Sequence, residues 1–332
     1  AAARALGMAC PSSIHKIARA DELNRPTHDG RRTAGGWAWR YAEALGVDLI
    51  RPFEIDRIDD AADGTRVVSG LAPNVRGEAA LLEVRSRSVI LAPGAWLGPM
   101  AKRIFDLELP LRVSAETVCY YAPNSSPPNP SPPNGSPPDV SLLTSPLSSP
   151  IDHSYQGMPV LISSQQNGLG PFGYYALPMV DIPGIKASAH YCGPSVDPDS
   201  RPKAAGGVRT LGGDQGRETE AAAKAAVDAV ISSTSRFVQE TFGHVETEPF
   251  YTENCLYTST PDHDYILGRV PNRPGCVLAG GGSGHAFKMG PAIGECAAAI
   301  ALGEVPPLPI EQLAVERLLS PHGIDERSAG NK

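Results

Sequence analysis

The chain has 332 residues, a formal net charge of −7 and a sequence pI near 5.6. That length holds one large domain or two ordinary ones with a real core, and a hydrophobic fraction of 41% is ordinary for globular proteins. The acidic balance argues against nucleic acid as a partner, yet leaves room for a local positive pocket that takes a small carboxylate.

Cysteines stand at Cys10, Cys119, Cys192, Cys255, Cys276 and Cys296. None forms a C-x-x-C pair, so no zinc knuckle or dithiol motif is expected, and no metal site. The spacing is too sparse for a disulfide scaffold. They read as reduced, mostly buried thiols. No apolar run reaches the ~18 residues of a membrane span, so no membrane partner is expected. The N-terminus lacks the layout of a secretory signal. It also lacks an initiator Met, which leads to the expectation of a fragment or truncated product.

In chain order, residues 1–36 read as irregular. Trp37 to Leu45 reads as a short helix ending at Gly46, with a strand beginning at Val47. Val84 to Leu91 is expected to form one strand running into Ala92-Pro93-Gly94-Ala95-Trp96. A buried strand that ends in a glycine turn is where open α/β sheets place ligands. Pro123 to Pro138 contains eight prolines among Ser, Asn and Gly. Such a run cannot pack a core, and reads as a solvated insertion over residues 123–150.

Short strands are expected at Val160 to Ser164, Tyr174 to Leu177 and Ile185 to Tyr191. Glu218 to Phe242 carries helical periodicity in Val227, Val230, Ile231, Phe237, Val238 and Phe242, with Asp214 as a nearby cap. Tyr265 to Leu267 and Cys276 to Ala279 read as strands. Pro291 suits the first turn of a last helix that stops at Gly303. The sum is an α+β substrate domain with antiparallel strands, joined to part of an α/β domain.

Two glycine motifs are decoys. Gly168 to Gly173 matches G-x-G-x-x-G, but a strand and then Pro178 follow it. No helix can open there to receive a pyrophosphate, so it reads as a turn between strands. Gly281-Gly282-Ser283-Gly284-His285 imitates a hydrolase elbow, but its last position is His and no helix starts directly after the Ser.

The chemistry concentrates in Cys255 to Glu295. A strand enters Gly280-Gly281-Gly282-Ser283-Gly284, and the chain leaves toward the helix near Pro291. Glycines let a backbone approach a flat ligand closely. A helix N-terminus adds partial positive charge. Alone, this pattern suits an electron-rich ring, a phosphate or a carboxylate, or a purely structural turn.

The run Cys255-Leu-Tyr257-Thr-Ser-Thr260-Pro-Asp262-His-Asp-Tyr265-Ile266, followed by a strand and by Ser283-Gly284-His285-Ala-Phe287-Lys288, resembles the C-terminal signature of the monomeric sarcosine oxidase family. That family of FAD-dependent amine oxidoreductases includes N-methyltryptophan and pipecolate oxidases. Gly94-Ala95-Trp96 resembles its flavin-domain turn. Gly173-Tyr174-Tyr175 with Pro178, then Gly184-Ile185-Lys186 and His190, resembles its substrate-domain strands.

The resemblance implies a partial FAD-binding domain of Rossmann-like, glutathione-reductase type over residues 1–110. It implies an antiparallel-sheet substrate domain over 111–250, and a returning FAD-domain segment over 251–332 with the flavin-ring loop at 280–291. It implies FAD as cofactor, attached as a thioether through Cys255. Cofactor contacts fall on Gly94, Ala95, Trp96, Gly282, Ser283, Gly284, His285, Phe287 and Lys288.

Tyr175, His190, Tyr257 and Lys288 are implied to meet substrate, with Lys288 on its carboxylate. Lys186, His190, Tyr257 and Lys288 are the implied catalytic set, Lys186 stabilising the charge that develops as oxygen is reduced. The implied reaction is hydride transfer from the carbon beside a secondary or N-alkylated amine to flavin, imine hydrolysis, and reoxidation by oxygen to hydrogen peroxide. The expected protein is a monomer acting on a small amino acid in a cell interior, cytoplasmic or peroxisomal.

One departure stands out. The strand, G-x-G-x-x-G and helix that hold the ADP half of FAD in the family have no counterpart in residues 1–36. A truncated, non-catalytic homologue that keeps only a binding role is therefore the alternative reading.

Overall fold

The computed structural model describes residues 15–17, 38, 40–74, 76–123, 151–180, 182–200 and 217–319. The chain divides into two units: residues 1–114 with 256–332, and residues 115–255.

In the first unit, β1 (His15–Ile17) pairs in parallel with β2 (Asp48–Ile50). A helical stretch over residues 40–44 precedes β2 and stops at Gly46, whose φ of 83° is a left-handed value that glycine adopts at little cost. Next comes an antiparallel meander: β3 (Glu54–Asp60), β4 (Arg66–Pro73) and β5 (Ala79–Ser86). Its two turns place Gly64 and Gly77 at φ of 79° and 78°.

A separate sheet has the order β12-β13-β6, from β6 (Val89–Leu91), β12 (Ile266–Val270) and β13 (Arg273–Gly280). β12 and β13 form a hairpin, and β13 lies parallel to β6. A single turn of 3-10 helix (Gly94–Trp96) and then α1 (Leu97–Phe105) follow β6.

This sheet is covered on both faces, so its strands read as continuous apolar runs instead of alternating ones. Cys276 and Leu278 join a cluster with Phe53, Leu97, Ile266 and Val315. Their neighbours Val277 and Ala279 point the other way, into a cluster with Cys296, Ala297 and Ile300. Each fully buried Val or Leu here contributes about 1.5–3 kcal/mol.

The second unit is a sheet of order β11-β7-β10-β9-β8. Its strands are β7 (Arg112–Tyr121), β8 (Leu161–Ser163), β9 (Tyr174–Leu177), β10 (Ile185–Ala189) and β11 (Tyr251–Ser259). β7 and β11 run across the limits of the two units, which fall at residues 114/115 and 255/256. The pairings β7–β10, β10–β9 and β9–β8 are antiparallel.

Strand alternation sorts the side chains by face. Cys119, Tyr121, Tyr174, Ala176, Ile185 and Ala187 take one face and pack with Val230, Phe237 and Val238 of α2 (Arg217–Thr241). The Tyr174 and Phe237 rings stack at 4.4 Å and 2°. The last helix, α3 (Gly290–Leu302), has Pro291 in its first turn and ends at Gly303, with φ of 77°. Both match the expectation, because both signals are local.

The expected single strand Val84 to Leu91 is instead two, β5 and β6, in two different sheets. The break falls at Arg87-Ser88. There Ser86 Oγ donates to Ser88 O at 2.7 Å and Ser88 Oγ donates to Ala301 O at 2.7 Å. These bonds turn the chain out of the meander's ladder and tie it beside α3. The meander's first two strands were not anticipated, nor was β1 within residues 1–36. The proline-rich stretch after Pro123 and the cap at Asp214 lie outside the described residues.

Candidate functional site

The parallel register sets Cys276 opposite Val89, Val277 opposite Ile90 and Leu278 opposite Leu91. The end of β13 packs against the start of α1: a Cβ on Gly280 would fall 2.6 Å from Leu97 Cδ2. The carboxyl ends of two parallel strands therefore open side by side, the position at which α/β sheets take ligands.

Gly94 has φ of 61°, and a Cβ there would meet nothing within 4 Å; the same space is open at Gly290 and Gly294. The backbone entering α1 and α3 is thus uncovered. Neither helix has a side-chain cap, the N-cap positions being Trp96 and Met289. Ala95 is buried against the core and Trp96 is half-buried.

The glycine loop itself is close-packed. Gly281 and Gly284 have φ of 62° and 80°. A Cβ on Gly281 would fall 2.9 Å from Thr260 Cγ2, and one on Gly284 would fall 2.3 Å from the Tyr257 ring. These glycines therefore admit the protein's own side chains from β11 and the turn after it. Ser283 is buried, and its N–H donates to Thr258 O at 2.9 Å. Its Oγ donates to Gly281 O at 3.2 Å, so the hydroxyl serves its own loop and is no nucleophile.

His285 Nδ1 lies 2.9 Å from Ser283 O. A carbonyl only accepts, so Nδ1 carries a proton in this contact. The Tyr265 ring packs against the imidazole at 5.0 Å, and its hydroxyl reaches His285 O at 3.4 Å. Phe287 is 83% exposed, and Lys288 is exposed beside it, with no acidic partner among the described residues.

The turn at residues 261–265, inside the sequence motif, holds an ion pair that its letters alone do not show. Arg317 Nε donates to Asp262 Oδ2 at 2.8 Å and Nη2 to Oδ1 at 3.2 Å, while Nη2 also reaches Asp264 O at 3.0 Å. Burial pushes the Asp262 carboxyl up, but hydrogen bonds from Arg317 and Thr260 together with the Arg317 charge outweigh it and hold it below the usual range. His263, at φ of 60°, is pushed down by burial first and then by His285.

In the second unit, Lys186 pairs with Leu177 and Tyr120, and Ser188 pairs with Tyr175. Lys186, Tyr175 and Tyr120 thus share the face turned away from α2. His190 lies one residue beyond β10, which ends at Ala189 short of the expected Tyr191, so Lys186 stands on the strand and His190 after it. Even so, the Tyr175 and His190 rings meet at 5.8 Å and 84°.

Tyr251 packs on Tyr120 at 5.5 Å. Cys255, four residues along β11, takes the same face, and Thr117 with Asn254 takes the other through a 3.0 Å hydrogen bond. Cys255 is a half-buried free thiol. Tyr175, Lys186, His190 and Cys255 thus belong to the second unit, while Tyr257, His285, Lys288 and the Gly94 and Gly282–Gly284 loops belong to the first.

The family model described as DAO, FAD dependent oxidoreductase, matches residues 28–300. The chain belongs to this FAD-dependent oxidoreductase family. The human peroxisomal sarcosine oxidase is 26% identical over 241 residues, covering 70% of this chain and 48% of that protein. The monomeric sarcosine oxidase of Bacillus sp. is 23% identical over 261 residues, covering 79% and 52%. The chain spans about half the length of these curated relatives.

Among solved structures, the L-proline dehydrogenase of P. horikoshii superposes with a TM-score of 0.51 at 17% identity, over 83% of this chain and 56% of that one. It supports the α+β FAD-binding fold of the family. Among the described residues, no helix is long and apolar enough to cross a membrane.

Proposed function

We propose that the chain is the ring-facing and substrate-facing part of an FAD-dependent amine oxidoreductase that acts on a secondary or N-alkylated amino acid of the sarcosine or pipecolate kind. The observation that carries this reading is the open backbone at Gly94, Gly290 and Gly294, at two helix starts without side-chain caps, with the exposed Lys288 just before the second. Open glycine backbone suits a flat ring, and a lysine with helix amides suits its electron-rich edge. These residues fit a flavin.

The first unit is the FAD-binding domain and the second the substrate domain. Gly94, Ala95, Trp96, Gly282, Ser283, Gly284, His285 and Phe287 contact the cofactor, and Cys255 is its attachment residue. Lys288 pairs with the substrate carboxylate in a charge-assisted bond. Tyr175, His190 and Tyr257 orient the amine. Lys186 places positive charge where oxygen is reduced.

The chemistry a bound FAD supplies is two-electron acceptance: the substrate yields a hydride, the imine hydrolyses in water, and oxygen takes the electrons to give hydrogen peroxide. The partners are a small amine and oxygen, and the acting species is a monomer. Its setting is a cell interior or organelle lumen; the human relative is itself named peroxisomal.

Acid precipitation tests cofactor and attachment together. Flavin absorbance is expected in the pellet of the wild-type chain and in the supernatant of Cys255→Ser. Peroxide release is then measured with sarcosine, pipecolate and N-methyl amino acids. A colourless protein without peroxide release would instead identify a non-catalytic homologue.

A further inference from the structure

The Gly168 to Gly173 turn has no place in the reaction described above, yet it frames His190. We propose that Asn167 is the positioning residue of His190, acting through this turn and through Phe172. The inference deepens the proposed function, because it rests on His190 as the group that orients the amine.

Asn167 is 1% exposed. Its Oδ1 accepts the N–H groups of Leu169 at 2.8 Å and Gly170 at 2.9 Å, which closes the start of the turn. Its Nδ2 reaches Gly173 O at 3.2 Å, His190 O at 3.4 Å and Cys192 Sγ at 3.1 Å. One side-chain amide thereby ties the residue before β9 to the residue after β10. The His190 N–H donates to Gly173 O at 2.9 Å across the same gap. The backbone of Asn167 is anchored in turn, since Ser233 Oγ of α2 donates to its carbonyl at 2.9 Å.

The glycines of the turn permit this closeness. A Cβ on Gly173 would fall 1.9 Å from Ser163 O, and one on Gly170 would fall 3.2 Å from Tyr191 O. Phe172 sits between them. Its ring lies 5.5 Å from the His190 imidazole at 67° and 5.2 Å from the Tyr191 ring. Tyr175 and Tyr191 add rings at 5.8 Å, at 84° and 72°. The imidazole is thus flanked by Phe172, Tyr175 and Tyr191, and Asn167 bonds to the residues on either side of Phe172 and of Tyr191, the histidine's own backbone among them.

Tyr191 shows what the network withstands. Its φ of 64° is a left-handed value that a bulky residue keeps only where its surroundings over-determine it. Removing the amide's donors frees Gly173 O and His190 O from their shared tie. The imidazole then samples more than one rotamer, and an orienting group displaced by about 1 Å loses up to 100-fold in rate.

NMR of the His190 ring is the test, on the full chain and without substrate. Wild type is expected to show one sharp set of ring resonances carrying ring-current shifts. Asn167→Asp keeps the acceptor and loses the donors; broadened or doubled His190 signals are expected, and unchanged signals overturn the proposal. Phe172→Leu keeps every hydrogen bond and removes one wall. The ring-current shift should change in it, and an unchanged His190 spectrum again overturns the proposal, even where the buried Asp variant does not fold. In turnover, the amine KM should rise about tenfold in either variant. Absent turnover in wild type strikes the proposed function and leaves the ring measurement standing.

Discussion

The ring of Tyr257 occupies the space that any side chain on Gly284 would need: a Cβ there falls 2.3 Å from Tyr257 Cε2. One strand and one loop of the proposed cofactor edge are therefore keyed to each other by the absence of a methyl group. Gly284→Ala combines this clash with an unfavourable φ of 80°. A cost of about 1–3 kcal/mol follows. A lower thermal midpoint and weaker flavin retention are expected, measured by melting and by absorbance. The double variant Gly284→Ala/Tyr257→Ala removes the clash but keeps the backbone cost, so its loss should be smaller than the sum of the singles.

Asp262→Asn tests the Arg317 clamp. The two side chains are 13% and 17% exposed, so the guanidinium is left mostly out of water without a counter-charge. A loss of about 2–3 kcal/mol is expected, read by denaturant melts at neutral pH. The pH sign follows from the lowered Asp262 carboxyl. Its contribution is fully present above the unfolded value near pH 4 and is lost as pH falls through the folded value. The acid limb of the stability curve should therefore be shallower in the variant than in wild type.

His153 titrates with the opposite chemistry and the same direction of loss. It is 5% exposed, and among the described residues its Nδ1 has no hydrogen-bond partner. Burial first and His244 second push it below its ordinary value, while Asp152 opposes them. A histidine kept neutral by folding leaves stability intact above about pH 6.5 and lowers it as pH falls below that, because the unfolded chain binds the proton more readily. His263 shifts the same way. His153→Phe should flatten part of the stability slope between about pH 6.5 and 5, measured by melts across that range.

Lys288→Met separates affinity from stability. The residue is exposed, so the thermal midpoint should move by no more than about 0.5 kcal/mol equivalent. A charge-assisted bond is stronger, at about 1.5–3 kcal/mol. Binding of a carboxylate-bearing amine, or of acetate as a probe, should weaken about tenfold or more, followed by spectral titration. Unchanged affinity would remove Lys288 from the carboxylate site.

Several features were legible because their causes are local. Pro291 and Gly303 bracket α3 through their own backbone preferences. Tyr174 to Leu177 is a strand bounded by Gly173 and Pro178. The dense motif between Cys255 and Lys288 pointed to the family that residues 28–300 match. The break at Arg87-Ser88 was hidden, because membership of one sheet or another depends on β4 and β13, remote in sequence from that point. Asn167 carried no signal at all. An isolated Asn before a glycine turn reads as solvent-facing, and only burial reveals five hydrogen-bonding contacts on one amide.

The amino-acid order by itself determined where helices stop, which residue types crowd the glycine loop, and the family to which the chain belongs. Tertiary structure alone decided what those glycines are for. At Gly280, Gly281 and Gly284 they make room for Leu97, Thr260 and Tyr257, whereas at Gly94, Gly290 and Gly294 they leave backbone open. The physical reason is that a missing Cβ looks the same in any sequence. Its meaning depends on which atoms the fold brings within about 3 Å of the empty position.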